Sequence, residues 1–160
     1  YYSGDAAAPT SVKGSVDAYV AAGVPKAKLG VGTGFYGLCY SAGVTGPLQA
    51  LNGSLIVAND GTMSYKNIVD SYESLGTATK NYDSSAKVPW LALSNATNSQ
   101  GCRYVTYENP QSIADKSAYV KSEGLGGAII WTINQGYFPS AGTTAAKHPL
   151  LEAFRLGLLQ

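Results

Sequence analysis

Residues 124–136 constrain this chain more than any other stretch. Glycines at 124, 126 and 127 allow a tight backbone turn, and Ala128, Ile129 and Ile130 follow as an unbroken apolar run. A short apolar run bounded by glycines reads as a strand buried on both faces, which belongs in a sheet with layers on either side. The run ends in Trp131, with Asn134, Gln135 and Tyr137 close behind. Pattern alone makes Trp131 a core residue, because aromatics supply much of core burial. A second reading fits the company it keeps. A flat ring can cover the apolar face of a sugar while neighbouring amides and a phenol meet its hydroxyl and N-acetyl groups.

The rest of the chain sets the frame for that strand. Pro9-Thr10-Ser11 offers a helix start, Val12, Val16, Tyr19 and Val20 recur with helical spacing behind it, and Gly23 and Pro25 close the helix. Residues 28–37 alternate glycine with other residues, which disfavours a helix and suits a strand approached closely by its neighbours. A phosphate-binding loop at Gly30, Gly32 and Gly34 is rejected, since no helix follows and no Lys-Ser/Thr pair stands at the required place. Asn109-Pro110 caps a helix carrying Ile113, Lys116 and Val120, which leads into the 124–136 stretch. Pro149 starts a last helix with Leu150, Ala153, Phe154, Gly157 and Leu158 on one side.

Between Cys39 and Cys102 the character changes. Strands are expected at 54–58, 88–93 and 103–108, with Pro89 marking an edge strand. A short helix behind Ser64 carries Tyr65, Ile68, Val69, Tyr72 and Leu75. Residues 80–86 are polar, and 95–101 read as a turn. Removing this antiparallel α+β unit leaves α-β-α-β-α, the rhythm of parallel α/β architecture. Two parallel strands do not close a sheet, so further strands are expected beside them.

Composition narrows the function classes. With 13% charged residues and a net charge of +1, the 160-residue chain carries no basic block for nucleic acid or a polybasic membrane surface. No apolar stretch is long enough to span a bilayer. The lone His148 leaves no His-rich metal site. Cys39 and Cys102 lack metal-ligand spacing and are too few for a disulfide scaffold; before a fold is assigned, buried free thiols are the default. Asn52-Gly53-Ser54 and Asn95-Ala96-Thr97 fit the glycosylation pattern and carry little weight. A start at Tyr1-Tyr2-Ser3, without methionine, reads as a processed or excised product.

Five segments together carry a family resemblance. They are residues 16–29 (VDAYVAAGVPKAKL), 32–37 (GTGFYG), 107–116 (YENPQSIADK), 124–131 (GLGGAIIW) and 148–151 (HPLL). In this order and spacing the chain resembles the second part of a family 18 glycoside hydrolase, a chitinase. The resemblance implies an α/β fold, an incomplete (β/α)8 TIM barrel running from helix 6 to helix 8. Residues 1–38 would supply helix 6 and strand 7, 39–107 an inserted chitin-insertion α+β subdomain, and 108–160 helix 7, strand 8 and helix 8. The site of such barrels lies at the carboxyl ends of the strands, where Tyr36 and Trp131 fall. The two ends of the insertion must approach each other, so the resemblance implies a Cys39–Cys102 disulfide. In the chain-entropy model, closing a loop of about sixty residues contributes roughly 4 kcal/mol, and a secreted protein can keep such a bond.

The implied chemistry is substrate-assisted: the N-acetyl oxygen of the sugar attacks the anomeric carbon, while a glutamic acid protonates the leaving oxygen. The family places that acid in a DxxDxDxE motif. For Glu73 to end it, aspartates would have to stand at Lys66, Val69 and Ser71; Glu108, Glu123 and Glu152 fail the same test. The expectation is therefore no catalytic residue, no metal and no cofactor in this chain, and no activity from it alone. Trp131 resembles the tryptophan flooring the −1 subsite, and Tyr36 the strand 7 aromatic beside it. Gln135 and Tyr137 are candidate sugar contacts at the strand 8 mouth. Glu108 reads as structural, near a helix N-terminus, and Asp17, Lys26 and Lys116 as surface or packing residues.

Departures from the family pattern are Gly34 where Pro is common, Leu38 where an Arg is common, and Gln135-Gly136 where acids are common. The implied partners are chitin or chitooligosaccharide and the N-terminal part of the same barrel, with a secreted location. Two other readings are a chitin-binding, non-hydrolytic lectin-like relative and an endo-acting N-glycan hydrolase of the same clan.

Overall fold

The computed structural model describes residues 10–41, 43–49 and 56–160. The expectations for residues 1–9, for Ser54 and Leu55, and for the Asn52 triplet lie outside the described residues. Helix α1 spans Val12–Ala21, with the Ser11 side chain accepting from the Gly14 N–H at its start. Gly23, at φ 88°, ends it in a conformation that only glycine adopts readily. Strand β1 spans Gly30–Gly34. The segment between β1 and α3, called the insertion from here on, then contributes β2 (Leu38–Tyr40), β3 (Ile56–Ala58), a short helix α2 (Tyr65–Ile68) extended by a π turn over Val69–Glu73, β4 (Ala78–Asp83), β5 (Val88–Thr97) and β6 (Cys102–Thr106). The chain finishes with α3 (Pro110–Glu123), β7 (Gly127–Trp131), a 3-10 turn over Ile133–Gly136, a single-turn α4 (Thr144–Lys147) and α5 (Pro149–Leu159).

Two sheets result. β1 and β7 pair in parallel, with Gly30 opposite Gly127 and Gly34 opposite Trp131. The other five strands form an antiparallel sheet in the order β3-β2-β6-β5-β4. Gly37 makes the passage from one sheet to the other possible. A Cβ on it would stand 2.1 Å from the Thr106 carbonyl oxygen and 2.7 Å from Ile68 Cδ1, so no side chain fits there.

Side chains alternate across a strand, and the faces of the parallel pair differ sharply. Val31 and Thr33 of β1 share a face with Ala128 and Ile130 of β7. Val31 is buried with Val16, Tyr119 and Val120 of α1 and α3. Ala128 and Ile130 pack on a larger cluster that includes Ile113, Leu150 and Phe154. Each fully buried aliphatic or aromatic side chain of this kind contributes about 1.5–3 kcal/mol. The same cluster continues through Phe35 into Met63, Ile68, Leu91 and Val105, so the parallel pair and the insertion share one core. Cys39 and Cys102, both fully buried, join in a disulfide with Cα atoms 5.5 Å apart.

Three expectations are corrected. Ile129 and Trp131, on the opposite face, are 68% and 61% exposed, so β7 is covered on one side only and Trp131 is not core. The reason is topological: the three long helices all lie against the Val31 and Ile130 side. Lys80, Asn81 and Asp83 belong to β4, which pairs only with β5 and so tolerates polar residues. β5 is an interior strand despite Pro89, because its pairing with β6 starts at Trp90 and leaves the proline at the strand's beginning. It also runs on to Thr97, through a segment expected to be a turn.

Candidate functional site

The carboxyl ends of β1 and β7 meet a loop of the insertion. The Phe35 N–H donates to the Trp131 carbonyl at 2.7 Å. Two further backbone bonds clasp the chain after β1: Tyr65 N–H to the Phe35 carbonyl and Gly37 N–H to the Met63 carbonyl, each at 2.8 Å. Ser64, which N-caps α2 through its hydroxyl, forms a β-bridge with Tyr36 between them. Underneath, the buried Phe35 ring stacks 6.3 Å from Phe154.

Tyr36 is half-buried and folds back over β1. A Cβ on Gly34 would stand 2.4 Å from its ring, so the glycine at this position makes room for the phenol. That is a physical reason for glycine where the family pattern favours proline. Tyr36 also lines a cleft of about 300 Å³ with Leu38, Pro89, Tyr104, Tyr107 and Glu108. Gly34, the strand partner of Trp131, lines the same cleft. Burial pushes the Tyr104 phenol up to about 12. Burial first, and the Glu73 carboxylate second, also raise Tyr107.

Trp131 presents its ring on the exposed face together with Ile129 and, beyond the strand end, Ile133. The peptide bond to Thr132 is cis. Thr132 then caps the 3-10 turn: its N–H donates to Gln135 Oε1 at 3.2 Å, and its hydroxyl bonds Asn134 Oδ1. The other end of the Gln135 amide, Nε2, donates to the Asp60 carbonyl at 3.0 Å. Gly136 is buried against Phe35, where a Cβ would come within 2.9 Å of the ring. An acid at 136 would thus collide with the core. Tyr137 stacks on His148 with ring centroids 4.9 Å apart, beside a wide cleft of about 610 Å³ lined also by Ile130, Ile133 and Asn134. The structure thus brings Tyr36 and Trp131 to adjacent strand ends, ties Gln135 to the backbone on both sides, and turns Tyr137 toward His148.

Glu108 is held from two sides. The Ser112 hydroxyl donates to Oε2 at 2.6 Å, and the Lys116 ammonium pairs with Oε1. Ser112 also completes a reciprocal cap with Asn109 at the start of α3. The Lys116 side chain is 5% exposed and that of Glu108 17%. Removing one member of such a pair leaves an uncompensated buried charge, at a cost of about 3 kcal/mol or more. Glu108→Ala should therefore lower the unfolding free energy by about 3 kcal/mol, measured by denaturant titration, whereas Glu108→Leu combined with Lys116→Met should recover most of it. Asp17 and Lys26 make exposed pairs with Lys13 and Glu123, worth little to stability.

Sequence reasoning missed two connections. Tyr82, on β4, bonds Asp115 of α3 and so ties the far edge of the insertion to that helix. Burial and this carboxylate hold the Tyr82 phenol above its usual range. The Asp60 carbonyl as a partner of Gln135 is the other, and as a backbone atom it leaves no trace in residue identity. Among the described residues no three His, Cys, Asp or Glu side chains group to hold a metal ion. No described helix is long and apolar enough to cross a membrane.

Comparison with known proteins adds to this geometry. Residues 1–136 match the profile of the family described as Glycosyl hydrolases family 18. Chitinase A1 of Niallia circulans is 34% identical over 130 residues, 78% of this chain and 18% of that protein. A family 18 N-acetylglucosaminidase from Paenibacillus barengoltzii superposes with a TM-score of 0.69 at 28% identity, over 93% of this chain and 39% of that one. Human YKL-39, described as a pseudo-chitinase with retained chitooligosaccharide binding, shares the fold with a TM-score of 0.73 at 22% identity, over 93% of this chain and 40% of that one. In each case the chain spans well under half of the relative's own length.

Proposed function

We propose, because this chain belongs to the glycosyl hydrolases of family 18, that it forms part of a chitinase acting on β-1,4-linked N-acetylglucosamine polymers by substrate-assisted retaining catalysis. On this reading β1 is barrel strand 7 and β7 barrel strand 8. Residues 1–38 and 108–160 are barrel, and 39–107 are an insertion walling the substrate groove. Trp131 floors the −1 subsite, Tyr36 flanks it, and Tyr137 and Gln135 stand at the rim. The observation that carries the reading is the exposure of Trp131, a large apolar ring left 61% open at the carboxyl end of a parallel strand. A ring so placed can stack under a pyranose, whose axial C–H groups meet the π face while its hydroxyls stay available to polar neighbours.

The proton donor is not among these residues, since no Asp/Glu spacing of the DxxDxDxE kind occurs. The partners are then chitin or chitooligosaccharide and the remaining strands of the same barrel, which would pair with the free edges of β1 and β7. A secreted location agrees with the buried disulfide. Incubating the purified 160-residue chain with a soluble chitooligosaccharide should release no product above the blank. Efficient turnover without another polypeptide would overturn the placement of the acid elsewhere.

The alternative is a chitin-binding, non-hydrolytic relative. The likeness to a pseudo-chitinase favours keeping it. Both readings use Trp131; they part at the acid. A glutamate ending the strand 4 motif of the complete barrel supports the hydrolase, and any other residue there supports the binding protein.

A further inference from the structure

We infer that Gln135 is a positioning residue. Its two-ended amide couples the Trp131 end of β7 to the insertion, so that the floor of the proposed sugar site and its wall keep one geometry. This rests on the reading of Trp131 as a sugar platform. Thr132 N–H is the first donor after Trp131, and its acceptor is Gln135 Oε1 at 3.2 Å. Nε2 of the same amide donates across 75 residues of sequence to the Asp60 carbonyl at 3.0 Å. That carbonyl is itself held in place. The turn around it is closed by Met63 N–H and Thr62 N–H donating to the Asn59 carbonyl at 2.7 and 3.0 Å, and Met63 is fully buried.

The chemistry of the residue suits the task. A primary amide carries an acceptor and a donor on one rigid plane without charge. A glutamate could still accept from Thr132, but would turn a lone pair toward the Asp60 carbonyl. A leucine could do neither. The backbone bonds that clasp residues 35–37 to 63–65 reach the insertion from β1. Gln135 supplies the corresponding hydrogen bond from the β7 side, where the exposed ring stands.

The test uses the complete domain containing this chain, with Gln135→Leu, Gln135→Glu and Trp131→Ala variants. Chitooligosaccharide affinity is measured by calorimetry and indole emission in the unliganded protein. The chain's other tryptophan is Trp90, so the Trp131→Ala spectrum supplies the background within this chain. Expected for Gln135→Leu are a shifted Trp131 emission, an affinity loss of about tenfold, and a melting midpoint lowered by only a few degrees, as the loss of two intramolecular hydrogen bonds implies. Gln135→Glu, which keeps the Thr132 acceptor, should recover part of both signals.

An affinity loss with unchanged Trp131 emission would mean direct sugar contact and overturn the positioning role. Wild-type affinity in Gln135→Leu while Trp131→Ala loses binding would overturn it as well. Wild-type affinity in both variants would instead sink the sugar-platform reading. If Gln135→Leu fails to fold, Gln135→Glu decides, wild-type affinity and emission again overturning the inference.

Discussion

Replacing Trp131 by alanine in the complete domain is expected to cut chitin turnover about a hundredfold, the scale on which misplaced reacting groups lose rate, while the same change in the 160-residue chain leaves its stability almost untouched. The two halves of this expectation come from one measurement. A tryptophan truncated in a core costs about 3–5 kcal/mol. In this chain Trp131 is 61% exposed and its strand is anchored on the core by Ala128 and Ile130, so the change in the 160-residue chain should stay within about 0.5 kcal/mol. Measuring kcat/KM of the complete domain on a chitooligosaccharide together with the thermal midpoint of the 160-residue chain separates the cases. A core-sized drop in stability would return Trp131 to a packing role. Near-normal turnover at wild-type stability would refute the subsite.

Loss of the disulfide should act in the opposite way, on stability before function. Cys39 and Cys102 are 63 residues apart in sequence and enclose most of the insertion. In the chain-entropy model a loop of that length restricts the unfolded chain by about 4 kcal/mol. The double change Cys39→Ala, Cys102→Ala should lower the melting midpoint by roughly 10 °C in a chain of this size. Hydrogen exchange should rise first in β2 to β6. A loss below about 1 kcal/mol, within the scatter of ordinary substitutions, would mean that the β2–β6 ladder and the shared core already hold the ends of the insertion together.

The parts of the fold legible in the sequence are those set by local chemistry. Ser11, Asn109-Pro110 and Pro149 mark helix starts that the structure keeps. Gly124, at φ 64°, ends α3 in the left-handed conformation expected of a glycine stop. The alternating glycines of β1 also read correctly as a strand. What went astray depended on neighbours. β4 carries no apolar signal to read, only polar residues at 80–86, because an edge strand needs few apolar residues. Pro89 looked like an edge marker because sequence does not say where the pairing of β6 begins. Within the site, aromatic identity at 36 and 131 was visible. That the Gln135 amide would be bonded at both ends, and Tyr137 turned onto His148, was not.

The sequence by itself determined the starts and the order of the three long helices and the parallel strands between them, because caps, glycines and apolar spacing act within a few residues. It also carried the family resemblance and the absence of a catalytic DxxDxDxE acid. Which face of β7 is covered was decided only by tertiary structure. Ala128, Ile129 and Ile130 are equally apolar, and no local property distinguishes the side that meets Leu150 and Phe154 from the side left open. The open side is set by the three long helices packing against the Val31 and Ile130 face, which leaves Trp131 on the face turned away from the helices.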